Sequence, residues 1–281
     1  MLEIIFLISL AMIWILFAVV QDLKTREIAN WLNFSLIIFA LGFRLFYSIF
    51  SQNDFSFFYQ GLIGLGIFFI LGNIFYYGKL FAGGDAKLLI SLGAILPFTG
   101  NFSTNVRIFA FFLLIFFFIG ALYTLTTSIF IGIKHRHKLG KEFKKQFIKN
   151  RKITLLSLTS AILIGLAGLT FYTPLIYFAI IIFILPYIYI YAKSVDESCM
   201  IVKVKPKDLR EGDWLYKDVS VKGEIIVANW DGLSKKEITL LKKTSKEVQI
   251  RQGVPFSPVF FISFILLVLF YKWILVWNFF F

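Results

Sequence analysis

The chain has 281 residues, 59% of them hydrophobic, against roughly 45–50% in a soluble domain, and its repeated apolar runs exclude a soluble globular class. A formal net charge of +13 would suggest nucleic acid in a soluble protein, but basic loops at a membrane face account for it, and no nucleic-acid partner is expected. The single cysteine, Cys199, excludes an intrachain disulfide framework and a Cys-based zinc site.

Eight apolar segments follow one another, at 3–21, 30–50, 59–78, 86–103, 106–133, 153–171, 174–192 and 256–278. Helices are expected, because a backbone in lipid must satisfy its hydrogen bonds internally. The fold class read from this pattern is an all-α polytopic membrane protein of about eight transmembrane helices, with a small α+β cytoplasmic insert before the last. The first segment opens Met-Leu-Glu with no basic stretch before it and no small-residue cleavage site after it, so it reads as a retained span rather than a signal peptide. The fourth is short in its apolar core, Leu88 to Phe98, and ends near Pro97.

Lys and Arg collect on the cytoplasmic side of membrane proteins. With the N-terminus outside, the inner loops are 22–29, 79–87, 134–152 and 193–255, and they hold 26 of the 29 basic residues. The exceptions, Arg44, Arg107 and Lys272, lie toward the outer ends of their spans, where a long side chain is expected to snorkel to the headgroups. If the fourth segment were re-entrant, the basic 134–152 loop would fall outside, so the charge pattern favours a crossing. The domain division that follows is a membrane catalytic core at 1–133, a basic loop at 134–152, two spans within 153–192, a cytoplasmic domain at 193–255 and a last helix at 256–281.

Acidic residues are scarce in the first 133 positions: Glu3, Asp22, Glu27, Asp54 and Asp85. This topology puts Glu3 and Asp54 outside. Asp22 falls at the inner end of the first span and Asp85 at the inner start of the fourth, at one depth on one face. A carboxylate there avoids the charge penalty of the bilayer centre, about 2.5–3.5 kcal/mol on insertion scales, and water reaches it. If the two helix ends touch, the carboxyls form an acid–base dyad that holds one proton between them. The ionised partner would activate water, and the protonated one would polarise a scissile carbonyl and protonate the leaving amine. Taken singly, each Asp reads more readily as a helix-end residue without chemistry: Asp85 as a favourable N-terminal charge, Asp22 as a solvated interfacial group.

The surrounding stretches are Gln21-Asp22-Leu23-Lys24-Thr25-Arg26-Glu27-Ile28-Ala29-Asn30-Trp31 and Phe81-Ala82-Gly83-Gly84-Asp85-Ala86-Lys87-Leu88-Leu89. The first is a polar turn between two spans. In the second, Gly83 and Gly84 permit unusual φ and close backbone approach. Together the two stretches resemble the paired motifs of type IV prepilin peptidases, including the archaeal preflagellin peptidases, which are GxGD-type membrane aspartyl proteases. The resemblance covers 20–31, 81–90 and the order of the first four spans. Ala82 stands where the first glycine is expected, and Ala29 where proline is common.

The resemblance implies an aspartic endopeptidase in the plasma membrane with its active site facing the cytoplasm. Asp22 and Asp85 would be catalytic. The substrate would be a membrane-inserted pilin or archaellin precursor, cut between a short basic leader and a hydrophobic helix. No cofactor and no metal are implied. Arg26, Asn30, Gly83, Gly84 and Lys87 occupy matching motif positions and would support the site or position substrate, although Arg26, Asn30 and Lys87 read equally well as interfacial anchors.

Further along, Phe143 and Phe147 share one face of a basic stretch, which predicts a helix lying on the membrane surface. His135 and His137 lack an evident acidic or Cys partner for a metal. In the insert, 199–205 and 224–230 predict strands, with Met200, Val202 and Val204 alternating against polar neighbours. Ser234 and Glu237 predict a capping box opening a helix that runs to about Ser245. The rival from another class is an ion- or proton-coupled transporter using Asp22 and Asp85 as ion sites. It predicts an inverted repeat or broken mid-membrane helices, and no convincing repeat is visible.

Overall fold

The computed structural model describes residues 2–50, 55–221, 223–229, 232–243 and 247–276, the last five without their side chains. Asp54, Ser245 and the side chain of Lys272, each given a place by the sequence, lie outside the described residues. The helices are α1 (Leu2–Thr25), α2 (Asn30–Phe50), α3 (Ser56–Tyr77), α4 (Gly83–Gly93), α5 (Phe102–Lys134), α6 (Arg136–Lys149), α7 (Arg151–Thr170), α8 (Leu175–Cys199), α9 (Lys235–Leu241) and α10 (Ser257–Val276). Five short strands lie between α8 and α10: β1 (Ile201–Val204), β2 (Trp214–Leu215), β3 (Val219–Val221), β4 (Glu224–Ile226) and β5 (Val248–Arg251).

This is a multi-pass membrane protein. Six helices among the described residues are long and apolar enough to cross a bilayer: α1, α2, α3, α5, α7 and α8. These six leave the expected count of eight unconfirmed. The last apolar segment forms α10, whose described side chains, through Tyr271, are mostly apolar, and the fourth apolar segment is not one helix. Its helix, α4, stops at Gly93 after 11 residues, roughly 16 Å of rise against a hydrocarbon core of about 30 Å.

The chain divides into two compact units, Met1–Thr124 with Pro255–Phe281, and Leu125–Val254. In the first, each long helix buries one stripe. On α1 these are Leu7, Ala11, Ile15, Ala18 and Asp22, and on α2 they are Leu32, Leu36, Ala40, Arg44 and Ser48. Steps of three and four residues keep each set on one helical face. The stripe on α3 is built largely of glycine, Gly61, Gly64 and Gly72, with Phe57 and Phe68. Small residues let membrane helices approach closely where hydrophobicity alone gives no drive to associate. The Gly64–Gly93 contact shows why: a Cβ on Gly93 would stand 2.6 Å from the Gly64 carbonyl oxygen, and one on Gly64 would strike the Gly93 oxygen.

Arg44 satisfies the backbone that follows α4. It is fully buried, not snorkelled to the surface as its position near a span end suggested. Its Nε donates to the Ala94 carbonyl at 2.9 Å, Nη1 to Phe57 at 2.9 Å, and Nη2 to Ile95 at 3.1 Å and also to Pro97. The guanidinium also lies 4.3 Å from the Phe57 ring centroid. The chain leaves the helix after Gly93, so the carbonyls of Ala94, Ile95 and Pro97 lie outside its hydrogen-bond ladder. Arg44 supplies them with donors from the fixed fork of its five N–H groups. Irregular backbone at membrane depth is tolerated when protein buries and satisfies it, and here one side chain does so.

The segment 83–101 thereby travels the length of α2. Lys87 bonds Asn30 at the start of α2, Arg44 holds the far end, and a Cβ on Gly100 would meet Ser56, the first residue of α3.

The second unit contains α6, α7 and α8 and the strands. The basic stretch is a helix as expected, with Phe147 stacked toward Tyr187 on α8 at 6.2 Å. β5 pairs antiparallel with β1 and β2, and β3 with β4. A small core of Leu209, Leu215, Ile226, Leu241, Val248 and Ile250 holds them. The Ser234–Glu237 capping box forms. The alternation expected in the first strand does not: Val202 is 38% exposed, while Val204 packs against this core.

Candidate active site

Asp22 sits in the last turn of α1 and is 7% exposed. The helix ends three residues later through Arg26, whose φ of 58° is left-handed and whose N–H closes on the Asp22 carbonyl at 2.8 Å. A left-handed residue just past the last turn is a common way to stop a helix, though usually a glycine takes it. Arg26 thus turns the chain toward α2, and Gln21 Oε1 accepts the Ala29 N–H at 3.1 Å to hold the returning strand.

Asp85 occupies the first turn of α4. Ala82 is the extended N-cap, with φ −68° and ψ 158°, a conformation any residue adopts. The alanine that replaces the expected glycine is therefore accommodated without strain. Gly83 and Gly84 have no positive φ either, so the unusual backbone expected at this pair is absent. What Gly84 provides is space. A Cβ there would lie 3.3 Å from Ile28 Cβ, so the turn after α1 packs directly on the start of α4. Lys87 Nζ donates to Asn30 Oδ1 at 2.7 Å, tying the two motif stretches by side chains as well.

These contacts bring the two acidic residues together. Asp85 lies outside the six candidate spans, and burial pushes its carboxyl up to about 7 from an ordinary 3.8, with the negative charge of Asp22 adding to the effect. Part of the Asp85 surface nevertheless stays open. Of the sequence-selected residues, Asp22, Asp85, Gly84, Asn30 and Lys87 converge here. Gly83 stands 3.6 Å from the Tyr76 ring, measured from where its Cβ would be, and Arg26 serves the turn.

The last helix was not foreseen in this site. The backbone N–H of Ser257, at the start of α10, donates to Asp22 Oδ2 at 3.1 Å. Tyr123, on α5, is within electrostatic reach of Asp22, and its hydroxyl donates to the Pro255 carbonyl at 2.9 Å. The only sequence signal was Ser257-Pro258 before an apolar run, a helix start that names no partner.

A cavity of about 710 Å³ opens between α2, α3 and α4. Gly83, Ala86, Lys87 and Ile90 give it the face of α4 opposite Leu88, Leu89 and Leu92. Asp85 is on the latter face, so this cavity is not the space between the carboxyls. Among the described residues no three His, Cys, Asp or Glu side chains gather where a metal ion could be held.

Residues 9–125, which carry both aspartates, match the type IV leader peptidase family. A preflagellin peptidase of Methanococcus maripaludis is 36% identical over 83 residues, 30% of this chain and 35% of the relative. One from Methanocaldococcus jannaschii is 36% identical over 85 residues, 30% and 36% of the two chains. The chain thus spans about a third of the length of these curated relatives. No solved structure matches it. The matched residues run from within α1 through α4 and all of the unit-one part of α5, and Ser257 lies outside them.

Proposed function

We propose that this protein is a membrane aspartyl endopeptidase that removes the basic leader from type IV pilin-like or archaellin precursors at the cytoplasmic membrane face. The observation that carries the reading is the meeting of Asp22 and Asp85, distant in sequence, at neighbouring helix ends. The family match and the two preflagellin peptidases support the substrate class. The positive loops that flank both aspartates support the cytoplasmic assignment.

The pair holds one proton near neutral pH. The ionised carboxylate takes a proton from water as it attacks the scissile carbonyl. The protonated carboxyl hydrogen-bonds the carbonyl oxygen and, as the C–N bond breaks, transfers its proton to the leaving amine, while its partner keeps the proton taken from water. At a span end the precursor's hydrophobic helix stays in the bilayer while its leader junction reaches water. Arg26, Gly84, Asn30 and Lys87 position the two helix ends, and Gly83 opens the start of α4.

The test is cleavage of a pilin or archaellin precursor by membranes containing the protein, with Asp22→Asn and Asp85→Asn alongside. Shortened product from the wild type and none from either variant is expected. A wild type that cuts no such precursor removes the function, and normal cleavage by either variant removes the dyad.

A further inference from the structure

The Asp22 carboxyl accepts one hydrogen bond among the described residues, and it comes from outside the matched residues 9–125. The donor, Ser257, is fully buried. Of the first three residues of α10, Pro258 has no N–H, and the Val259 N–H is taken by the Phe256 carbonyl at 3.0 Å. The N–H groups that open a helix have no partner within it and favour negative charge. Here the one from Ser257 is spent on Asp22.

The placement is braced on several sides. Tyr123 holds the Pro255 carbonyl. Phe256 packs on Phe81 and Phe116, each at 5.8 Å, and Phe81 belongs to the Asp85 motif. A Cβ on Gly120 would stand 3.1 Å from the Phe256 ring, so the helix that carries Tyr123 is shaped to admit it. A second observation marks the same spot as polar. The Ser257 hydroxyl is buried and makes no hydrogen bond, whereas buried polar atoms nearly always find a partner.

We propose that Ser257 is a positioning residue that, through its backbone N–H, holds Asp22 as the ionised, water-activating member of the pair and leaves the shared proton to Asp85. This rests on the peptidase reading for its chemistry, but the contact itself does not. A backbone N–H can only donate, so it orients a carboxylate oxygen and cannot take a proton from it. Asp85 accepts no hydrogen bond among the described residues that would hold its charge in the same way.

The contact is tested first without any substrate. In the detergent-solubilised full chain labelled with ¹⁵N-serine, the Ser257 amide signal is assigned by its loss in Ser257→Thr. Asp22→Asn should move that amide proton upfield, because a carboxamide oxygen is a weaker acceptor, while Asp85→Asn moves it less. An amide position unchanged by Asp22→Asn overturns the proposal whether or not the protein proves to be a peptidase. The second arm uses precursor cleavage. Proline is tolerated in the first turn of a helix, so Ser257→Pro removes the N–H there, and Ser257→Ala removes only the hydroxyl. A hydrogen bond to a charged group predicts that kcat in Ser257→Pro falls about tenfold below that of Ser257→Ala, with KM equal in the two. Equal kcat values in the two variants overturn the positioning role.

Discussion

The two ends of α4 treat charge in opposite ways. At its end, the Arg44 guanidinium donates to four carbonyls and is sealed from solvent. At its start, Asp85 is held near a second carboxyl, with its own oxygens unbonded among the described residues and part of its surface open. Both are ionisable groups in an apolar bundle, where such groups are rare and usually mark function. The comparison separates the two cases. A charge whose bonding capacity is filled by backbone is holding the chain together. A carboxyl raised by burial and a like charge, and left unfilled, is poised to exchange a proton.

Exchanging the two ends by mutation gives the largest effects. Asp22→Asn or Asp85→Asn should lower precursor cleavage by roughly 10²–10⁴-fold, the scale of lost acid–base catalysis, without lowering the Tm in detergent. Arg44→Met should do the reverse. It strands the carbonyls of residues 57, 94, 95 and 97, and leaving buried acceptors unmet costs about 1–3 kcal/mol each before relaxation. A fall of several degrees or more in Tm is the expected reading. Arg44→Lys should rescue little, since an ammonium is a point charge and cannot reproduce the planar fork. An Arg44→Met protein as stable as wild type would show that α4 ends without this support.

The pH response sharpens the contrast at the other end. Asp85 stands at about 7 in the folded chain against an ordinary 3.8. Its folded value is the higher one, so the folded state binds more protons than the unfolded between those limits. The stability it contributes is fully present below about 3.8 and is lost as pH rises through 7. Cleavage should also decline above pH 7, as the shared proton leaves. A protonated-carboxyl infrared band that fades through neutral pH, and is missing in Asp85→Asn, checks the assignment. In Asp22→Asn the fading should begin at lower pH but stay above the ordinary carboxylate range, because burial is the larger cause.

The same contrast explains what the sequence could convey. The apolar runs, the polar turn at 22–29 and the Gly-Gly-Asp stretch carry local patterns, and they pointed to a membrane bundle and to Asp22 and Asp85. Ser234 and Glu237 announced their capping box because its partners are three residues apart. Arg44 bonds residues 13 to 53 positions away, and Ser257 reaches 235 positions back to Asp22. No local periodicity encodes such partners. The fourth apolar segment is a short helix followed by irregular backbone that Arg44 satisfies, a break that hydropathy, running on through Pro97, does not signal. Val202 was misread because alternation reports a face only when something covers it.

Between the two charged ends lies the packing of the motif stretches, and its effects should be smaller. Gly84→Ala would place a Cβ 3.3 Å from Ile28 Cβ, so one of the two helix starts must shift by a few tenths of an ångström. Cleavage should drop several-fold with stability lowered by about 1 kcal/mol, the lower edge for overpacking. The added substitution Ile28→Ala should return most of the activity by making room, and a double variant no better than Gly84→Ala would mean that the glycine matters for something other than space.

The Lys87–Asn30 bond, short at 2.7 Å but exposed, should matter least. Exposed pairs of long side chains seldom contribute more than about 1 kcal/mol, since ordering the chain offsets much of the gain. The informative quantity is the coupling between Lys87→Met and Asn30→Leu in a double-mutant cycle on cleavage. Were the bond only an interfacial anchor, the two substitutions would add in their effect on activity. If it sets the approach of α2 to the start of α4, and with it the spacing of the carboxyls, the second substitution should change kcat little once the first is made. A coupling near zero would leave Gly84 and Ile28 as the contact that registers Asp85 against Asp22.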